Sequence, residues 1–97
     1  MGELSDIKLE RQGPRGRYSA TIGNGAPAEL TFSETDGHMV IDHTYVPPQY
    51  RGRGVALKLV VRAIEDARAA GQKITPLCSY VAAEFRSHPE WADLLQR

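Results

Sequence analysis

Apolar and polar positions alternate with period two over the first half of the chain and change to a helical period after a pair of prolines. Ile7 and Leu9 stand against Lys8 and Glu10, which predicts a half-buried strand over residues 7–12. Gly13-Pro14-Arg15-Gly16 reads as a turn. A second strand over 17–22 has Tyr18, Ala20 and Ile22 on one face, and Gly23-Asn24-Gly25 breaks it. A third over 28–35 carries Ala28, Leu30 and Phe32 on one side and ends at Thr35-Asp36-Gly37. A fourth over 38–46 is rich in β-formers: Val40, Ile41, Thr44, Tyr45 and Val46. Short connections between these strands predict an antiparallel meander.

Pro47-Pro48 ends the fourth strand, because proline has no N–H for a ladder. Leu57, Val60, Val61 and Ile64 then recur at helical spacing, with Lys58, Arg62, Glu65 and Asp66 opposite. A helix over 54–70 is predicted, stopped by Gly71. Ile74, Leu77 and Cys78 predict a fifth strand over 73–79 that contains Pro76. Val81 and Phe85, one turn apart, predict a short helix over 80–86. Ser87 and Glu90 have the spacing of a capping box, ahead of an apolar face of Trp91, Leu94 and Leu95. The order β-β-β-β-α-β-α-α is α+β, or mixed α/β.

Composition narrows the function classes. At 97 residues the chain is expected to form one domain over 1–97, which excludes a large two-lobed enzyme. A hydrophobic fraction of 41% and a charged fraction of 25% exclude wholesale disorder. Twelve basic residues balance twelve acidic ones, so binding to nucleic acid through bulk charge is not expected. No apolar run reaches the length of a membrane span, and the first ten residues lack the apolar stretch of a signal peptide. The expected location is cytoplasmic. Met1-Gly2 begins like a myristoylation site, but Asp6 stands where Ser or Thr is required. One cysteine, Cys78, excludes an internal disulfide, and three scattered histidines beside it make no metal-binding pattern.

The charge is uneven along the chain. Residues 28–42 hold four acidic side chains and no Lys or Arg, whereas residues 51–68 hold five basic and two acidic ones. A local basic cluster in a neutral protein favours a small anionic ligand, against the simpler reading of a solvated helix face.

That cluster begins in Gln49-Tyr50-Arg51-Gly52-Arg53-Gly54-Val55-Ala56, between a strand and an amphipathic helix. A helix start leaves backbone N–H groups unpaired, glycine lets an anion approach them, and the helix dipole favours negative charge. Arg51 and Arg53 add charge at the rim. The P-loop pattern fails because Val55-Ala56 follows Gly54, and the dinucleotide fingerprint fails because position 57 is Leu and four strands come first. Gln49-x-x-Gly52-x-Gly54 resembles the acetyl-CoA signature of the GNAT superfamily of acyl-CoA N-acyltransferases. His43-Thr44-Tyr45-Val46-Pro47-Pro48, Pro76-Leu77-Cys78-Ser79-Tyr80-Val81 and His88-Pro89-Glu90-Trp91 are similar to the short, YjdJ-type GNAT-like group.

The resemblance implies an antiparallel meander leading into a parallel β-α-β unit with short C-terminal helices. It implies acetyl-CoA as acyl donor and an unidentified amine as acceptor. The loop 49–56, with Val46 at the end of the fourth strand, is expected to hold the CoA pyrophosphate. The fourth and fifth strands are expected to splay around the pantetheine arm, which accounts for Pro76, as a simple bulge there would too. Full-length members carry two acceptor-binding helices after the first strand; here only Gly13-Pro14-Arg15-Gly16 fills that gap.

Acetyl transfer needs deprotonation of the amine and polarisation of the thioester carbonyl, and the thiolate leaves more readily with an acid. Cys78, at the end of the fifth strand, is a candidate nucleophile or a small core residue. Tyr80 is a candidate acid for the leaving thiolate, or a packed tyrosine. His43 is a candidate base, or a structural histidine; strict alternation places Asp42 and Thr44 together on the face opposite it. Glu34 and Asp42 are acidic alternatives, and His38 and His88 read as turn residues. Two rival readings remain at this level: a CoA-binding protein without transferase activity, and an interaction module in which the loop is only a corner.

Overall fold

The period-two half of the chain folds as four antiparallel strands: β1 (Lys8–Gln12), β2 (Arg15–Ala20), β3 (Ala28–Thr35) and β4 (His38–Tyr45). The structure is a computed structural model that describes residues 6–23 and 25–96. The expectations for Met1-Gly2, and Asn24 of the second break, lie outside the described residues. Helix α1 (Val55–Ala70) then returns the chain to β5 (Lys73–Pro76), which pairs parallel to β4. Helix α2 (Ser79–Ser87) and a 3₁₀ segment (Pro89–Leu94) follow. The sheet order is β1-β2-β3-β4-β5, so the expected meander leading into a β-α-β unit is what forms. Among the described residues no helix is long and apolar enough to cross a membrane.

The register puts the expected apolar positions on one face. Gly16 pairs with Phe32, Tyr18 with Leu30 and Ala20 with Ala28, and all six are buried. Helix α1 covers this face with Val55, Leu59, Val60, Ala63, Ile64 and Ala67. The buried stripe therefore differs from the one expected: Val60 and Ile64 belong to it, but Val61 is exposed and Leu57 only half-buried. Val55, Leu59 and the small Ala63 and Ala67, none of them in the expected stripe, supply the remaining positions. Tyr18 is fully buried, stacks on Phe32 at 5.2 Å, and donates from its hydroxyl to Asp66 on α1 at 2.7 Å. Burial, and then the Asp66 carboxylate, push the Tyr18 phenol well above its ordinary value.

Four local expectations are corrected. Only Gly13-Pro14 forms the first turn, and Arg15 and Gly16 already belong to β2. His38 opens β4, paired with Thr35 and Lys73. No capping box forms at Ser87: the 3₁₀ segment is capped by His88, and the Glu90 carboxylate instead meets His88 Nδ1 at 2.9 Å. The His88 ring stacks on buried Trp91 at 4.0 Å. Finally, β5 stops at Pro76, three residues early.

A bulge in β4 positions everything that follows. Ile41 pairs with Phe32 and His43 with Thr31, which leaves Asp42 as the extra residue. Asp42 consequently joins His43 on the outer face, where its carboxylate accepts from Thr31 Oγ1 at 2.7 Å and from Arg15 at 3.2 Å. Burial raises the Asp42 carboxyl, but these bonds outweigh it and hold the group below its ordinary value. The expected sharing of a face by Asp42 and Thr44 is overturned, because the extra residue resets the alternation. Thr44 pairs with Leu30 and returns to the inner face.

Gly16 in β2 has no room for a side chain. A Cβ there would lie 2.2 Å from Phe32 Cζ, and that ring is fully buried between Tyr18 and the guanidinium of Arg11. Gly16→Ala is expected to destabilise the fold by about 1–3 kcal/mol, the cost of overpacking a filled site. Denaturant unfolding checks this; wild-type stability in Gly16→Ala contradicts the packing described.

Candidate active site

Strands β4 and β5 pair only from His38↔Lys73 to Ile41↔Pro76. Proline has no N–H with which to extend the ladder. The N–H groups of Leu77 and Cys78 both turn back to the Ile41 carbonyl, at 2.9 and 3.2 Å. Beyond this point β4 continues to Tyr45 while the chain after Pro76 enters α2. A cleft of about 410 Å³ opens where they part, between the end of β4, the glycine loop and the first turn of α2.

The loop is held in a defined shape. Pro47 is buried, and Pro48–Tyr50 form a 3₁₀ turn with Tyr50 N–H on the Pro47 carbonyl at 2.9 Å. Gly52 and Gly54 have φ of +81° and +75°, in the left-handed region that strains other residues. A Cβ at either would meet nothing within 4 Å, so backbone conformation rather than crowding requires glycine here. Gly54 is the N-cap of α1; no side chain caps this end and its first turn holds no acidic residue. The first N–H groups of the helix therefore point out without intrahelical acceptors, in a field that favours an anion.

The basic cluster divides in two. Arg62 pairs with Asp66 at 3.0 Å and Arg68 with Asp93 at 2.7 Å, which matches the solvated-face reading. Arg51, Arg53 and Lys58, around the start of α1, form no ion pair with the described residues. Arg51 Nε donates to the Val46 carbonyl at 3.0 Å, tying the loop to the end of β4. Of the residues expected to bind cofactor, Val46, Tyr50, Arg51, Gly52, Gly54, Val55 and Ala56 line the cleft, whereas Gln49 and Arg53 are exposed outside its lining. Thr44 and Tyr45, which the sequence reading did not assign to the site, line it as well.

Cys78 is not in the lining of the cleft but meets Thr44, which is. It is half-buried and is the N-cap of α2, with its Sγ 3.4 Å from Thr44 Oγ1. Burial pushes the thiol up, but the Thr44 hydroxyl and backbone hydrogen bonds from Val81, Tyr80 and Thr44 outweigh it, so the thiol lies below its ordinary value. Tyr80 lines the cleft two residues on; burial, then the charges of Glu84 and Cys78, push its phenol up and keep it protonated. The structure thus brings Thr44, Cys78 and Tyr80 together. It does not bring His43 to them: His43 is exposed on the outer face, across the strand from Thr44. Glu34 is engaged by Arg11 and Gln72. Among the described residues no group of three or more His, Cys, Asp or Glu side chains is placed to hold a metal ion.

The comparisons agree with this geometry. Protein NATD1 from Mus musculus is 27% identical over 85 residues, covering 86% of this chain and 77% of the relative. Protein NATD1 from Xenopus tropicalis is 26% identical over 91 residues, covering 92% and 84%. The solution structure of a GCN5-like protein from Staphylococcus aureus superposes with a TM-score of 0.69 at 27% identity, covering 95% of this chain and 90% of that one. The family model for GCN5-related N-acetyltransferases matches residues 17–94, from within β2 through the parted strands and the glycine loop to the 3₁₀ segment. The chain belongs to the GCN5-related N-acetyltransferase family, and by that membership it is an acyltransferase that uses an acyl-CoA.

Proposed function

We propose that the protein transfers an acetyl group from acetyl-CoA to an exposed primary amine, such as one on a protein surface. The observation that carries this reading is the single cleft joining the glycine loop to the parting of β4 and β5. The N–H groups at the start of α1 receive the pyrophosphate, with Arg51 and Arg53 at the rim. The pantetheine arm runs along the unpaired edge of β4 beside Thr44 and Val46, toward Cys78. An exposed acceptor is supported by the direct Gly13-Pro14 turn between β1 and β2, which leaves no helices to enclose a small metabolite.

Cys78 is the group best suited to take the acetyl first. Its thiolate attacks the thioester carbonyl, the carbon–sulfur bond of acetyl-CoA breaks, and Tyr80 gives its proton to the departing CoA thiolate. The amine then attacks acetyl-Cys78, releases the Cys78 thiolate and loses its own proton. Solvent takes that proton, since His43 faces away from the cleft, and Tyr80 recovers its own from solvent.

Gly54→Ala strains the left-handed N-cap by roughly 1–2 kcal/mol and turns N–H groups away from the pyrophosphate. CoA affinity is expected to fall roughly tenfold or more, while pantetheine, which lacks the nucleotide, keeps its affinity. Titration calorimetry separates the two ligands. Unchanged CoA affinity, or equal losses for both, contradicts the placement of the pyrophosphate.

The depressed thiol has its own signature. In ligand-free protein the rate of Cys78 alkylation by iodoacetamide is expected to rise with pH through a midpoint below that of a free cysteine, about 8.5. Thr44→Val removes a bond to the thiolate and is expected to move the midpoint up. A wild-type midpoint at or above the ordinary value refutes the assignment.

Turnover tests the covalent step. Cys78→Ala is expected to lose activity by roughly two orders of magnitude or more with CoA affinity little changed. Full activity in Cys78→Ala establishes direct transfer from acetyl-CoA to the amine instead.

A further inference from the structure

The turn between β2 and β3 lies far from the cleft in sequence but touches its loop. Tyr50 Oη donates to the carbonyl of Ile22 at 2.9 Å, across 28 residues of chain. The same carbonyl accepts from the Gly25 N–H at 3.2 Å, so one oxygen ties the turn to itself and to the loop. A Cβ on Gly25 would sit 1.7 Å from Tyr50 Oη and 2.6 Å from Cζ. Unlike Gly52 and Gly54, Gly25 is not in the left-handed region, so what it needs is the absence of a side chain beneath the tyrosine. Tyr50 is half-buried against the core and lines the cleft, and Ile22, where its hydroxyl is committed, does not.

We propose that Tyr50 is a positioning residue that braces the glycine loop against the β2–β3 turn and so sets the affinity for the nucleotide end of CoA. The inference rests on the cofactor placement proposed above. The loop between β4 and α1 is secured at one end by Arg51 on the Val46 carbonyl and at the other by the helix itself. Tyr50 ties it sideways to the body of the sheet, two residues before Gly52 and four before Gly54. Holding the loop in its binding shape before the ligand arrives lowers the ordering cost of binding. The hydroxyl is spent on Ile22, so its effect on the ligand passes through the loop rather than through contact.

The test uses CoA and pantetheine as probes on wild type, Tyr50→Phe and Gly25→Ala, together with amide hydrogen exchange of the ligand-free proteins. Tyr50→Phe deletes only the hydroxyl. It is expected to weaken CoA roughly three- to tenfold, the worth of one neutral hydrogen bond, and to leave pantetheine unchanged. Exchange of the amides of residues 51–54 is expected to speed up while those in the middle of α1 do not change. With acetyl-CoA as substrate, KM is expected to rise by the same factor and kcat at saturation to hold. Gly25→Ala is expected to show the same pattern to a larger extent.

Wild-type CoA affinity and unchanged loop exchange in Tyr50→Phe overturn the brace, as does an equal loss of CoA and pantetheine. If wild type itself fails to bind CoA, the cofactor placement falls. The brace is then decided by exchange alone: Tyr50→Phe without faster loop exchange overturns it, and faster exchange confined to the loop upholds it.

Discussion

The Ile41 carbonyl accepts two backbone hydrogen bonds, from Leu77 and from Cys78, at the place where Pro76 has no N–H to offer. This contact ends the pairing of β4 with β5, and the rest of the site depends on it. Had the ladder continued, the edge of β4 beyond Asp42 would be covered and no cleft would open beside Thr44 and Val46. The chain is instead released into α2, which brings Cys78 to a helix N-cap and Tyr80 to the cleft wall. The β4 bulge acts one residue further along. By inserting Asp42 it turns Thr44 inward to Cys78 and His43 outward to solvent.

Charge is partitioned in a way that keeps the cleft receptive. The acidic side chains of β3 and β4 are engaged nearby: Glu34 with Arg11, Asp42 with Arg15 and Thr31, and Glu29 near Arg17. On α1, Arg62 and Arg68 are likewise paired. What remains around the start of α1 is Arg51, Arg53 and Lys58, with no carboxylate in the first turn to compete for the exposed N–H groups. A neutral protein thus keeps a local positive field, which suits a small polyanion rather than an extended one.

The elements were legible because their patterns are local. Residues 28–35 of β3, the start and end of α1 at Gly54 and Gly71, and the strand–loop–helix corner all follow from alternation, helical spacing and turn chemistry. The glycine loop was legible for the same reason, since its shape is set by consecutive residues. What sequence reading missed is non-local. The bulge at Asp42 is a matter of register between β3 and β4, and alternation along one strand carries no trace of it. Thr44 was not assigned to the site because its partner, Cys78, is 34 residues away. The early end of β5 was signalled by Pro76, although Leu77 and Cys78 continue an apolar pattern past it. Leu77 is in fact 67% exposed, beside the cysteine that caps α2. Gly25 read as a strand breaker, and only the fold shows Tyr50 lying over it.

The central claim is that the parted strands and the glycine loop form one binding site for an acyl-CoA. Amide chemical-shift mapping by NMR during titration with CoA tests it most directly. The account predicts a single contiguous set of perturbed amides, running from Gly52, Gly54, Val55 and Ala56 through Thr44 and Val46 to Cys78 and Tyr80, with β1 and the outer face of the sheet unmoved. Shifts centred on another surface, or confined to the loop with none at Thr44 and Cys78, would contradict it.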